Sequence, residues 1–312
     1  MTPMKEQIQS VPIPLEVLNE ISRRKDEFTP RQRIFAEYVL QNPESLAFLS
    51  ITDLAKEARV SQATIIRFCN ALGYDGYAQL AREAQQAIQV ELGTVGRFRL
   101  VREMRRESNG NPPRSSFERV VVQEIENLTF LAKSIKIADF YHCLDMMAEA
   151  DRICVIGCLS STSLAVFFGY TLSKLKPEVD VIHGHGVMSS AICQRLSEKS
   201  LVFLIAFPRY PRETVELGEL AASRGARIVA ITNSHISPIV PLADLVFFLP
   251  VGIPSFVDAY ASPIVFISGL LTEFSERIPE QAQLTLGKYD EYAAQMDLFQ
   301  YMDGKRGPKN RR

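Results

Sequence analysis

Three stretches of this chain carry side chains that could do chemistry. The run GCLSSTS sets Ser160, Ser161, Thr162 and Ser163 directly after a short apolar segment, RICVIG. Hydroxyls beside the free N–H groups of a helix start suit an anion. Helix capping alone would need only one serine, so several together favour binding. The run AFPRYPRET offers Arg209 and Arg212, whose planar forks match a carboxylate or phosphate. The run SQATIIR has Ser61 where a helix could be capped and its N-terminus offered to a phosphate. There Gln62 could read adenine and Arg67 guanine or a phosphate, with Ala63 and Thr64 turned outward beside them. The bland readings are a plain helical hairpin with a solvated surface and a loop whose Arg209 points to water. His183 and His185 in HGHG lack a third metal ligand nearby and read as loop histidines. No Ser–His–Asp order, motif of paired carboxylates, Walker loop or G-x-G-x-x-G fingerprint occurs, so no catalytic residue, metal or cofactor is expected.

The elements that must position these residues follow from periodicity. Thr29–Pro30 reads as an N-cap and first turn. Ile34, Phe35, Tyr38 and Val39 then recur at helical spacing. SITDLAKEAR and QATIIRFCNAL form two short helices joined by a tight turn at Arg59–Val60–Ser61. Ile65, Phe68 and Leu72 face inward. A long helix is expected from Tyr77 into RFRLVREMRRE, where Arg97, Arg99, Arg102, Arg105 and Arg106 make either a solvated face or phosphate contacts. SNGNPPRSS reads as a linker. Beyond two amphipathic segments, FERVVVQEIENLTFLAKSI and DFYHCLDMMAEA, apolar strands alternate with helices: RICVIG, VDVIH, SLVFLIAF, ARIVAIT and ADLVFFLP. Throughout-apolar strands alternating with helices predict a doubly wound parallel five-stranded sheet. In an order such as 2-1-3-4-5, ligand binds beyond the carboxyl ends, between the first and third strands. DAYASPIVFISGLLTEFSER is expected as the closing helix despite Pro263, and the basic end GKRGPKNRR as disordered.

Composition narrows the class. With 312 residues and a formal net charge of −1, the chain suits two domains and has no global basic field, so any nucleic-acid contact must be a local patch. Five scattered cysteines without a C-x-x-C pair read as buried free thiols in a reducing compartment. No apolar run reaches the roughly 18 residues of a membrane span, and a cytoplasmic protein is expected.

The residues Leu54, Ala55, Ala58, Val60, Ser61, Thr64, Arg67, Phe68, Leu72, Gly73, Gly76, Tyr77 and Leu80 resemble the N-terminal pattern of the RpiR/MurR-type transcription regulators, over about Phe28 to Val90. From Ile153 to about Arg277 the chain resembles the sugar isomerase (SIS) domain through Gly157, Ser161, Ala165, Glu213, Thr214, Gly225, Ala226, Ile231, Thr232, Ser237, Pro238, Ala243 and Asp244. Its phosphate loop departs from the family. Ala206, Pro208, Arg209 and Pro211 stand where Ser, Ser, Gly and Thr are usual, and only Arg212, Glu213 and Thr214 remain. Two prolines remove N–H donors and stiffen the loop.

The resemblance implies an all-α helix-turn-helix domain (1–107), a linker and connecting helix (108–135), a flavodoxin-like SIS domain (136–302) and a basic tail (303–312). The expected function is a ligand-responsive DNA-binding regulator, not an enzyme. Ser61, Gln62, Ala63, Thr64 and Arg67 would meet DNA. Ser160, Ser161, Ser163, Arg209, Arg212, Thr214, Thr232 and Ser237 would hold a small anionic effector, a sugar phosphate or sugar acid. The expected partners are double-stranded DNA with a palindromic operator and a second copy, as a homodimer or tetramer, with no membrane. A SIS-type sugar-phosphate isomerase is the competing class, and a protein-interaction module the third.

Overall fold

The computed structural model describes residues 15–43, 45–81, 83–84, 94–98, 115–252 and 257–300. The chain divides into two compact units between Arg114 and Ser115. The expected linker SNGNPPRSS up to Arg114 and the basic tail lie outside the described residues, as does most of the arginine-rich helix.

The first unit is helical. α1 spans Leu15–Arg23, α2 Pro30–Gln41, α3 Ser45–Phe48, α4 Ile51–Glu57 and α5 Gln62–Ala71. Thr29 precedes α2 with Pro30 in the first turn, and Gln32 accepts hydrogen bonds from its backbone N–H and its hydroxyl. The Ser50 hydroxyl accepts from the Asp53 N–H and so starts α4. The core gathers on the ring of Phe68, 4.8 Å from Phe28 and 4.9 Å from Phe35 between centroids. Leu54, Ile65 and Leu80 are buried with them. Tyr77 donates its phenolic proton toward the Leu46 and Leu49 carbonyls at the end of α3, holding the following helical residues 77–81 in place.

The second unit opens with α6, Ser116–Ser134, whose start is fixed by reciprocal bonds between Ser115 and Glu118. Then come α7 (Ile137–Glu149), β1 (Arg152–Ile156), α8 (Thr162–Ser173), β2 (Val179–Ile182), α9 (Val187–Gln194), β3 (Ser200–Ile205), α10 (Arg212–Ser223), β4 (Arg227–Thr232), β5 (Leu245–Phe248), α11 (Ala261–Arg277) and α12 (Pro279–Gln295). The five strands are parallel in the order β2-β1-β3-β4-β5, as expected. β3 is buried at every residue because it lies mid-sheet between two apolar layers. One layer joins Phe168, Phe203, Phe247 and Phe266. The other joins Cys154, Ile182, Val202 and Leu217.

The closing-helix expectation is corrected: α11 is followed by α12. Ile278 ends one helix and precedes the other, and Pro279 occupies the first turn of α12. Only Ala282 and Ala293 of α12 are buried, so it carries no strong apolar stripe by which to be seen.

Candidate functional site

In the helix-turn-helix, α4 and α5 are joined by a turn in which Arg59 takes φ 53°. The Ser61 hydroxyl accepts from the Thr64 N–H at 3.2 Å, as its capping role requires. Gln62, Ala63, Ile66, Arg67 and Asn70 are exposed on α5, while Ile65, Phe68 and Cys69 are buried. Gln62 is braced by its amide donating to the Thr52 hydroxyl at 3.0 Å. Thr64 corrects the expectation. It is buried, 4% exposed, with its hydroxyl 2.9 Å from that of Ser61. A side chain one residue from Ile65 and four from Phe68 falls on the inward edge of the helix, so Thr64 shapes the turn rather than meeting a base. Arg97 is likewise neither a solvated nor an open phosphate contact: it is 2% exposed. Arg99, Arg102, Arg105 and Arg106 lie outside the described residues.

At the carboxyl edge of the sheet, the structure sets the expected effector residues at or after the ends of three adjacent strands, β1, β3 and β4. After β1, the chain makes a 3-10 turn, Leu159–Ser161, before α8. Ser160 and Ser163 are exposed, and Ser161 is buried with its Oγ unpartnered among the described residues. Thr214, in the first turn of α10, accepts a hydrogen bond from the Cys158 N–H at 3.2 Å. That bond joins the loop after β1 to the loop after β3. Thr232 ends β4, and its hydroxyl, the Asn233 amide nitrogen and the Ser237 hydroxyl are buried without partners among the described residues. A buried polar atom left unmade costs about 1–3 kcal/mol. Four such atoms, on Ser161, Thr232, Asn233 and Ser237, gather at this edge.

The two arginines differ. Arg212 begins α10 and is 90% exposed, with Nε bonded to Glu216 at 2.7 Å. Glu216 also meets His185 at 2.8 Å, and these two neighbours hold its carboxyl below the usual range. Arg212 is thus engaged along its own helix, which weakens its assignment to an effector. Arg209 is exposed at the tip between Pro208 and Pro211, both buried, and has φ 67°. It occupies, as an L-residue, the left-handed conformation natural to the glycine that usually stands in this loop.

Tyrosines absent from the sequence reading also line this edge. Tyr260 donates to the Ser160 hydroxyl at 2.9 Å, lies near Asp258, and stacks against Phe207 at 5.5 Å. Burial pushes its phenol well above the ordinary value. Tyr210 donates to the Asn233 side-chain oxygen at 3.0 Å, and burial raises its pKa to about 12. One residue beyond Tyr260, the Ala261 N–H at the start of α11 donates to Glu124 of α6 at 3.0 Å. The neighbouring Gln123 side chain packs where a Cβ on Gly252 would sit, at 2.6 Å. Among the described residues no cluster of His, Cys, Asp and Glu could hold a metal, and no helix is long and apolar enough to cross a membrane. The five cysteines are free and buried.

Comparison with known proteins matches residues 15–91 to the helix-turn-helix domain of the rpiR family and residues 146–272 to the SIS domain. The chain is 27% identical over 249 residues to the HTH-type transcriptional regulator HexR of Pseudomonas aeruginosa, covering 78% of this chain and 81% of that one. It is 23% identical over 252 residues to HexR of Escherichia coli, covering 79% and 81%. Among solved structures, it is similar to the sugar isomerase domain of an RpiR transcription factor from Sphaerobacter thermophilus, at TM-score 0.53 and 27% identity over 55% of this chain and 96% of that one. It shares a fold with the Vibrio vulnificus NanR protein complexed with ManNAc-6P, at TM-score 0.56 and 20% identity over 91% of this chain and all of that one, 100%.

Proposed function

Because the chain belongs to the RpiR-type transcription regulators, we propose that its SIS domain senses a small anionic metabolite and that its helix-turn-helix reads an operator in response. The observation that carries the sensing half is the set of unpartnered buried polar atoms on Ser161, Thr232, Asn233 and Ser237. They sit beyond the carboxyl ends of parallel strands, where such sheets bind ligands. A sugar phosphate or sugar acid supplies both the hydroxyls to satisfy them and the charge that Arg209 suits. NanR, described in complex with ManNAc-6P, is a relative in fold that binds a phosphorylated sugar. Ser160 and Tyr260 stand at the mouth of the same edge.

On the DNA side, Gln62, Ala63 and Arg67 form the exposed face of α5 behind a capped N-terminus. In such motifs this face enters the major groove. A homodimer or tetramer reading a palindrome fits the exposed apolar residues Phe117, Val121 and Ile125 of α6 and Ile264 and Val265 of α11. The bond from Ala261 to Glu124 ties the edge of the sheet to α6.

Calorimetry with a panel of sugar phosphates and sugar acids tests the sensor. One compound should bind, and Arg209→Ala should weaken it at least tenfold; unchanged affinity would remove the arginine from the site. A gel shift with the region upstream of the protein's own gene, with Arg67→Ala as control, tests the other half. Turnover of a ketose or aldose phosphate would move the protein to the isomerase class that also uses this fold.

A further inference from the structure

The base-reading face of α5 carries one side chain that the polar assignments leave unused. Ile66 is 43% exposed. Gln62 lies one turn before it, Asn70 one turn after, and Ala63 and Arg67 alongside, all exposed. The inner stripe is complete without it: Thr64, Ile65, Phe68 and Cys69 are buried on the opposite side, and Phe68 is already packed on Phe28 and Phe35. Helix propensity gives no reason for an isoleucine at a solvated position, since a β-branched residue is a weaker helix former than the straight-chain polar residues.

The surroundings favour one occupant. α5 reads QATIIRFCNA, with Arg67 and no carboxylate. Its outer face therefore suits a negatively charged partner. Among the base edges of the major groove, the thymine C5 methyl is the group that rewards an apolar side chain. We propose that Ile66 is a specificity-determining residue that packs on a thymine methyl in each half-site, between a base read by Gln62 and a contact made by Arg67. This rests on the DNA-binding reading and adds to it a base and an atom.

The test uses the full chain and a library of random-sequence duplexes. The duplex that wild type enriches is then remade with deoxyuridine replacing each thymine in turn, which removes only the methyl. Burying one methyl-sized group contributes enough for a roughly fourfold effect at one contact. The expected result is that one thymine per half-site shows about this loss with wild type. Ile66→Ala should bind the thymine and uracil duplexes equally, and its own selection should lose preference at that base pair. Ile66→Val, which keeps a branched surface, should retain part of the discrimination. Equal binding of every thymine and uracil pair by wild type overturns the proposal, as does an unchanged thymine-to-uracil ratio in Ile66→Ala. A change in oligomeric mass of Ile66→Ala without a change in that ratio also overturns it, because Ile66 then meets protein. Failure of wild type to enrich any sequence overturns the DNA-binding reading itself, a result distinct from enrichment without a methyl effect.

Discussion

Replacing Arg209 by alanine and, separately, by glycine divides what its side chain does from what its backbone costs. The tip of the loop after β3 is forced to turn at this residue. Pro208 and Pro211 have fixed φ, and the residues before them are held extended by the proline rings. The reversal falls on Arg209, at φ 67°. An L-residue held left-handed costs roughly 1–2 kcal/mol. Glycine escapes that cost but loses about 0.5–1 kcal/mol more chain entropy on folding than alanine. Both substitutions remove every contact of the guanidinium alike, so their difference reports the backbone alone. Arg209→Gly should be more stable than Arg209→Ala by about 0.5–1 kcal/mol, a shift of about 1–4 °C for a domain of this size. Thermal melts of the two variants, followed by circular dichroism, measure it. If the glycine variant melts at or below the alanine variant, Arg209 is not strained and the glycine-like geometry is not what the loop requires. The same pair informs the sensor. Equal loss of effector binding in both variants locates the effect in the guanidinium, and recovery in the glycine variant alone locates it in the loop backbone.

Two further substitutions test how the sheet is held. A Cβ on Gly169 of α8 would overlap the Val181 methyl on β2, so Gly169→Ala should destabilise by about 1–3 kcal/mol through overpacking. Adding Val181→Ala should recover part of that in a denaturant melt, and failure to recover would show that the helix does not approach the strand so closely. Lys176 is buried and its Nζ donates to the carbonyls of Met147 at 2.9 Å, Ala148 at 3.4 Å and Ala150 at 2.5 Å, closing the C-terminal end of α7. Lys176→Met leaves those carbonyls without their donor and should cost about 1–3 kcal/mol. Burial also lowers the Lys176 pKa below its ordinary 10.5. In the alkaline window between the folded value and 10.5, the unfolded chain holds more protons, so this group makes stability rise with pH. Wild type should therefore gain on Lys176→Met as pH rises through that window, and parallel pH profiles of the two proteins would refute the assignment.

What could be read from the chain in advance was set by range. Strand order and the helix-turn-helix were legible because each rests on local signals: apolar strands bounded by turns, and Ser61 capping the helix that begins at Gln62. Polarity alone does not reveal that Thr64 is buried. A hydroxyl beside Ser61 and in register with Phe68 is satisfied by its neighbour and can be buried. The effector edge was half legible. Its hydroxyls and the altered loop stand in short runs, but Tyr260 reaches Ser160 across 100 positions and Glu124 reaches Ala261 across 137. No periodicity links such pairs; only closure of the sheet brings α11 over the end of β1. The loop shows both limits in one place. Its departures from the usual residues were visible in the sequence, and they suggested a site remade around arginine. The left-handed backbone of Arg209 emerges only in the folded loop, where the two flanking prolines and the short span from β3 to α10 leave the reversal to it. At Arg209 the backbone thus takes a conformation that suits glycine although the side chain has changed.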